Sequence, residues 1–314
     1  MGAVSHSTPS LSLQVPAKLN PQIRVGPLRQ DGYHDVTLAY LAISLYDILT
    51  ISHDSNGPTI RVTGMDSGRV PSDSRNLVVK AAILLGNHAN IEPRLHFYLV
   101  KSIPSEAGLG GGSADAAAAL VGCRLWWKLD LTDDDLMVLG AQLGEDVPFF
   151  VHGMMAIGLG HKQPLIKLAP SGYTWHWVLG IPFRGLATKD VFQMYDRISA
   201  GSVSQEKDYL LRQKGCLDTP WESGSPQELL SALVNDLELP STRLLPDIAT
   251  ALQAGRSTGA LASIMTGSGS TCAFLAENES HAAHLMEQLR RENIFRQVVV
   301  AFGPVEGVSV LESH

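Results

Sequence analysis

The sequence predicts an α+β protein built from two domains. Three observations carry this. Four glycines within residues 108–112 separate an apolar, strand-like run (95–100) from an alanine-rich, helix-forming run (114–120). Residues 36–51 form a long apolar stretch rich in β-branched and aromatic side chains, which suits strands better than helix. The end of the chain reads strand, strand, helix, strand, at 263–265, 271–275, 281–290 and 298–301. Antiparallel pairing of such strands beneath helices gives a layered α+β sandwich. At 314 residues the chain has room for two such units, placed at 11–170 and 171–314.

In chain order, residues 1–10 lack the basic start and apolar core of a signal peptide and read as a disordered tail. Residues 11–14 alternate, and Ile23 with Val25 resumes the pattern, so two strands are expected around Lys18. Residues 75–87 carry helical apolar spacing at Leu77, Val78, Ala81, Ala82 and Leu85. Thr132 opens a helix with Asp133, Asp134 and Asp135 in its first turn, where the helix dipole favours acidic groups. That helix should end near Gly144, leaving Asp146 just ahead of a buried apolar strand. Residues 199–227, rich in Gly, Ser, Pro and charge, read as a loop or weakly ordered insertion. Helical patterns resume at 226–237 and 243–254.

Composition narrows the class. With 45% hydrophobic and 18% charged residues, the chain is an ordinary globular protein. A formal net charge of -7 argues against nucleic acid as a partner, since that partner selects a basic footprint. Cys123, Cys216 and Cys272 are sparse and far apart, as expected of reduced, structural thiols in a cytoplasmic protein. The longest uncharged apolar stretch, 147–160, is broken by Pro148, His152 and glycines and is too short to span a bilayer. No membrane role is expected.

The most informative segment is Pro104, Ser105, Glu106, Ala107, Gly108, Leu109, Gly110, Gly111, Gly112, Ser113, Ala114. Glycine lets the backbone curl and turn several N–H groups toward one ligand. A helix opening directly afterwards adds free N–H donors and the positive end of its dipole, and the combination suits phosphate. Ser113 suits the helix N-cap, from which it would touch a phosphate oxygen or Mg²⁺. The loop lacks the lysine of a Walker motif, has Ser113 where the dinucleotide fingerprint needs glycine, and contains no serine-hydrolase elbow.

It resembles instead the P-x-x-x-G-L-G-G-G-S-A/S-x-A loop of the GHMP kinases, which include galactokinase, homoserine kinase, mevalonate kinase and phosphomevalonate kinase. Three further segments are similar to those of the 4-diphosphocytidyl-2-C-methyl-D-erythritol kinases within that superfamily. They are Pro16-Ala17-Lys18-Leu19-Asn20 followed by Asp31-Gly32-Tyr33-His34, then Gly144-Glu145-Asp146-Val147-Pro148, then Thr266-Gly267-Ser268-Gly269-Ser270-Thr271. All four stand in family order. Two departures are present: Pro21-Gln22 replaces an apolar pair beside the Lys18 strand, and Ser270 replaces a proline. Neither removes a group the chemistry requires.

The resemblance implies a ribosomal-protein-S5-like N-terminal domain and a ferredoxin-like C-terminal domain, with the active site in the cleft between them. It implies ATP and Mg²⁺ as cofactors, with no metal ligands singled out. Lys18 and Asp146 would be catalytic, Asp146 as the base and Lys18 as the cation that orients it. Asn20, Tyr33, His34, Thr188 and Phe192 would bind a small cytidine diphosphate substrate, with Tyr33 and His34 meeting the cytosine ring. A monomer or weak homodimer is expected. The rival expectations are another kinase of the superfamily, of homoserine or mevalonate type, and a catalytically dead relative that senses ligand. His281 and His284 have metal-like spacing but no companion ligands, so solvated surface is expected there.

Overall fold

Two long strands, β1 (Ser10–Leu28) and β2 (His34–His53), pair antiparallel and form the spine of the first sheet. The structure is a computed structural model that describes residues 9–160, 164–169, 172–199, 205–219 and 221–311. Most of the expected tail and the expected domain boundary at 170/171 lie outside those residues; Ser10, assigned to the tail, begins β1.

The later part of β2 pairs with β4 (Leu95–Lys101), which runs parallel to β3 (Thr59–Gly64), while its earlier part pairs with β5 (Met155–Leu159), which also pairs with the short β6 (Ile166–Lys167). Against this sheet lie α1 (Leu77–Ala89), α2 (Gly111–Trp127), α3 (Asp133–Gly140) and α4 (Val147–His152). α2 is rich in alanine because it packs very close to the strands. Its residues Ala114 to Cys123 are all buried, and a Cβ at Gly122 would lie 2.5 Å from Ile51 Cδ1.

The second sheet has the order β11 (Gln297–Gly303), β7 (Trp175–Ile181), β10 (Cys272–Ala276), β9 (Ala262–Met265), all antiparallel. Numbered within this half, the strands run 4-1-3-2 with helices between the first and second and between the third and fourth. That is the ferredoxin-like arrangement expected. Its helices α8 (Asp247–Ser257) and α9 (Glu279–Arg291) bury Ile248, Leu252, Leu285 and Leu289 on it. The same half also returns to the first sheet. β8 (Val234–Asn235) pairs parallel with β1 at Gln22 and Ile23, and β12 (Ser309–Val310) pairs with its start.

Four local expectations are corrected. The apolar run after Asp146 is helix α4 rather than a strand; its Pro148 sits in the first turn, where the missing N–H costs nothing. α2 begins at Gly111 with Gly110 as its cap at φ 75°, so Ser113 lies in the first turn and not at the N-cap. Within 199–227 the chain forms α6 (Gln205–Leu217), held by the buried Tyr209 and Cys216, with the Tyr209 hydroxyl bonded to Thr37 Oγ1 at 3.0 Å. The expected helix at 226–237 is instead a turn, a single 3-10 turn (Leu230–Ala232) and β8, because Asn235 and Asp236 bond to distant strands: Asn235 Nδ2 to Met265 O of β9, and Asp236 N to Ile23 O of β1.

A buried ion cluster joins the elements beneath the glycine loop. Lys101, at the end of β4, donates to Asp47 of β2 and, at 2.6 Å, to Asp115 of α2, and all three side chains are buried. Asp47 also accepts from the backbone N–H groups of Ser102 and Ile103, whereas Asp115 Oδ1 has no partner among the described residues. Burial alone would lower the Lys101 pKa, but the charges of Asp115 and Asp47 and their hydrogen bonds together raise it. Burial raises the Asp115 carboxyl well above the usual carboxylate range, against the pull of Lys101. A carboxyl raised in this way favours the fold below the unfolded carboxylate range and loses that contribution as pH climbs through its folded value.

Lys101→Met leaves two buried carboxyls without their cation and should destabilise the protein by about 3–5 kcal/mol in urea unfolding at neutral pH. Asp115→Asn should cost much less, since one ammonium already serves Asp47. A Lys101→Met protein as stable as the parent would contradict this view of the cluster.

Candidate active site

The site grows out of an irregularity in β1. Leu19 pairs with Leu41 and Gln22 with Ala39, so Asn20 and Pro21 together stand opposite the single residue Tyr40. This is a β-bulge, a place where a proline is tolerated because its missing N–H breaks no ladder bond. The Pro21 departure therefore leaves the strand intact. The bulge frees Asn20 N–H to bond Thr266 Oγ1 at 2.9 Å, while Asn20 Nδ2 donates to Ala39 O at 3.2 Å.

Lys18, two residues earlier, is only 5% exposed, and its ammonium donates to Asn20 Oδ1. Two glycine-rich loops enclose it. Lys18 N–H donates to Leu109 O at 3.1 Å. Cβ atoms built on Gly110 and Gly267 would lie 3.1 Å from Lys18 Cγ and 3.4 Å from its Nζ. The loops also meet each other: Gly108 has φ +76° and a Cβ there would fall 2.6 Å from Thr266 O, while one on Gly267 would fall 2.9 Å from Gly108 O. Both positions require glycine.

The loop from Pro104 to Gly110 is braced from outside. Ser105 N–H bonds Asp66 Oδ2, and Arg296 of the second half grips the same carboxylate through two bonds of 2.8 and 3.0 Å. The Arg296 hydrogen bond, with a smaller effect from Ser105, holds the Asp66 carboxyl below its usual range. On the opposite loop, Asn235 Nδ2 donates to Met265 O and Gly267 O, both at 2.8 Å, and the Ser270 hydroxyl donates to Arg184 O at 2.7 Å. Ser270 thus adds a side-chain tie where the family has a proline.

Asp146 precedes α4 and is half-buried. Tyr40 donates its hydroxyl to Asp146 Oδ1 at 3.0 Å. Asp146 reaches Lys18 through charge rather than through a hydrogen bond. Burial lowers the Lys18 pKa, and the Asp146 carboxylate opposes that shift.

The remaining candidates lie along one helix face. Thr188 opens α5 (Thr188–Ser199), and its hydroxyl is 2.8 Å from that of Ser268. One turn on, Phe192 stacks on His34 with ring centroids 5.6 Å apart; Tyr195 meets the same imidazole edge-on, and Asp196 Oδ1 lies 2.9 Å from His34 Nε2. The spacing 188, 192, 195, 196 is a helix face. His34 Nδ1 faces Gly26 O at 2.7 Å, so both ring nitrogens already have partners. Tyr33, in the adjoining turn, is 65% exposed. The structure therefore gathers Lys18, Asn20, Asp146 and the two loops at one point, and groups His34 with Phe192, Tyr195 and Asp196 along α5.

Residues 76–154 match the GHMP kinases N terminal domain and residues 222–294 the GHMP kinases C terminal family. The chain is 40% identical over 301 residues to the 4-diphosphocytidyl-2-C-methyl-D-erythritol kinase of Salinispora arenicola, covering 95% of this chain and 93% of that one. It is 39% identical to the enzyme of the same name from Mycolicibacterium smegmatis, covering 97% and 94%. The chain belongs to the 4-diphosphocytidyl-2-C-methyl-D-erythritol kinase family of GHMP kinases. A crystal structure of 4-(cytidine 5'-diphospho)-2C-methyl-D-erythritol kinase superposes with a TM-score of 0.72 at 28% identity, covering 93% of this chain and 98% of that one. Mevalonate kinase from L. major has the same fold, with a TM-score of 0.72 at 13% identity and coverage of 98% and 100%.

In this kinase three elements of the site carry no sequence signal of their own. Tyr40 sits inside the apolar run 38–43, Asn235 inside an apparent helix, and Arg296 in the turn before β11. The pair Asn235-Asp236 breaking a helical pattern is the one hint that was readable. His281 and His284 lie on α9 bonded to its own surroundings, Glu277 N and Gln288. Among the described residues no cluster of three metal-ligating side chains occurs.

Gly110→Ala puts a Cβ at φ +75° and 2.5 Å from Phe150 Cζ. The expected cost is on the order of 1–3 kcal/mol in urea unfolding. An unchanged unfolding midpoint would show that the loop relaxes freely.

Proposed function

We propose that this kinase transfers the γ-phosphoryl group of ATP to the 2-hydroxyl of 4-diphosphocytidyl-2-C-methyl-D-erythritol, giving the 2-phosphate and ADP, a step of non-mevalonate isoprenoid synthesis. The observation that carries the reading is the buried Lys18 ammonium, enclosed by two glycine loops and facing Asp146 through charge.

The Asp146 carboxylate takes the proton of the substrate hydroxyl as its oxygen attacks the γ-phosphorus. The bond from that phosphorus to the bridging oxygen breaks, and the electron pair leaves with ADP. Lys18, kept in register by Asn20, stabilises negative charge on the attacking oxygen and the transferring group. The backbone from Pro104 to Gly112 and the N-terminus of α2 receive the triphosphate. Ser113, half-buried in the first turn of α2, would offer its hydroxyl to Mg²⁺, and the ion would supply charge neutralisation to the triphosphate there.

The substrate follows the α5 face from Thr188 to Asp196, about 12 Å at the helical rise per residue. The exposed Tyr33 ring offers a stacking face for cytosine. His34 and Phe192 supply the apolar wall, and His34 reads the base edge only by exchanging its Asp196 contact. We assign the 11–170 half to ATP and the 171–314 half to the substrate, with the enzyme acting in the cytoplasm as a monomer or weak homodimer. Among the described residues no helix is long and apolar enough to cross a membrane.

ADP release tests the reading when measured with the cytidine diphosphate substrate beside homoserine, mevalonate and galactose. Turnover is expected with the first alone. Preference for any of the others would reassign the substrate, and ATP binding without turnover of any would make the chain a sensor.

A further inference from the structure

The reading of Asp146 as the base leaves one neighbour unexplained. Tyr40 is a large buried side chain that carries a hydroxyl in the middle of the apolar run 38–43 of β2. An apolar residue would fill the space without the cost of burying a phenol. Its hydroxyl donates to Asp146 Oδ1 at 3.0 Å, and Asp146 Oδ2 has no hydrogen bond among the described residues. The ring is clamped as well: it stacks on Phe149 with centroids 4.8 Å apart and planes 21° from parallel. On its other side Gly158 makes room, since a Cβ there would stand 3.1 Å from Tyr40 Cε2.

The backbone adds a second constraint. Tyr40 is the one residue opposite the Asn20–Pro21 bulge. Asn20 holds the Lys18 ammonium and is tied to the carbonyl of Ala39, the residue before Tyr40. The partner of the cation and the partner of the carboxylate therefore ride on the same three-residue piece of sheet.

We propose that Tyr40 is a positioning residue for phosphoryl transfer: it holds Oδ1 of Asp146 so that Oδ2 faces the substrate hydroxyl, in register with Lys18. This rests on Asp146 being the base. Burial first, and then the charge of Asp146, raise the phenol pKa well above its ordinary value, so Tyr40 keeps its proton and acts by orientation.

Tyr40→Phe keeps the ring, the stack on Phe149 and the strand, and removes only the oxygen. It should lower kcat about 10- to 50-fold while the KM values for ATP and the cytidine substrate stay within about twofold. Asp146→Asn should lower kcat by roughly two to four orders of magnitude. Adding Tyr40→Phe to Asp146→Asn should then change kcat by less than about twofold, because the tyrosine acts through the carboxylate. Full kcat in Tyr40→Phe beside an inactive Asp146→Asn overturns the positioning role and leaves the base in place. Near-normal kcat in Asp146→Asn overturns the base itself. A Tyr40→Phe loss that persists undiminished in the Asp146→Asn background, or that appears as a raised KM, marks a packing role instead.

Discussion

The close approach of Gly108 to Gly267 is the constraint on which the rest of this site depends. Each residue adopts positive φ, and a side chain on either would strike the backbone of the other loop. There the two halves of the molecule bring main chain against main chain beside Lys18. Everything around the contact serves to hold it. Asn235 fixes the second loop from below through two carbonyls, and Asp66, gripped by Arg296, fixes the first from outside. Side-chain contacts of that length would leave room for rotamer changes, whereas a glycine–glycine contact leaves almost none.

Two buried lysines show how the same residue type is put to different uses. Lys101 lies between two carboxylates, and their attraction outweighs burial, so its charge is secure and its role is to hold β2, β4 and α2 together. Lys18 has an amide as its hydrogen-bond partner and a carboxylate only at a distance, and burial wins. A cation in that state is under-neutralised. It gains most when negative charge arrives, which is what a triphosphate and an ionising hydroxyl would bring. Sites of this kind cost stability, and the buried ion cluster beneath the loop offsets that cost from nearby.

Much of this was legible in the chain. The Gly108–Gly112 run announces a phosphate loop through its own residue types, whereas Lys18-Leu19-Asn20 and Gly144-Glu145-Asp146 gained meaning only together, as segments standing in family order. The succession β9, β10, α9, β11 was legible from the residues themselves, whereas the ferredoxin-like 4-1-3-2 arrangement was implied only by the family resemblance. What failed depended on partners distant in sequence. Val147-Pro148-Phe149-Phe150 is apolar on all sides and gives no period to separate strand from helix. The bulge at Asn20–Pro21 arises from pairing with a strand some twenty residues away, and Tyr40 meets Asp146, a residue more than a hundred positions on. α6 has little apolar content of its own and is anchored through Tyr209 and Cys216. The thiols were read correctly as structural: all three are free and buried, and burial pushes that of Cys216 up to about 12.

A double-mutant cycle across the two loops tests the central constraint most directly. Gly108→Ala, Gly267→Ala and the double variant would be compared by urea unfolding. If the loops are locked by this one contact, the first substitution breaks it and the second finds it already broken, so the double variant should fall short of the summed losses by about 1 kcal/mol or more. Losses that add within about 0.5 kcal/mol would mean that each glycine answers only to its own loop, and the account of a site built on their contact would be wrong.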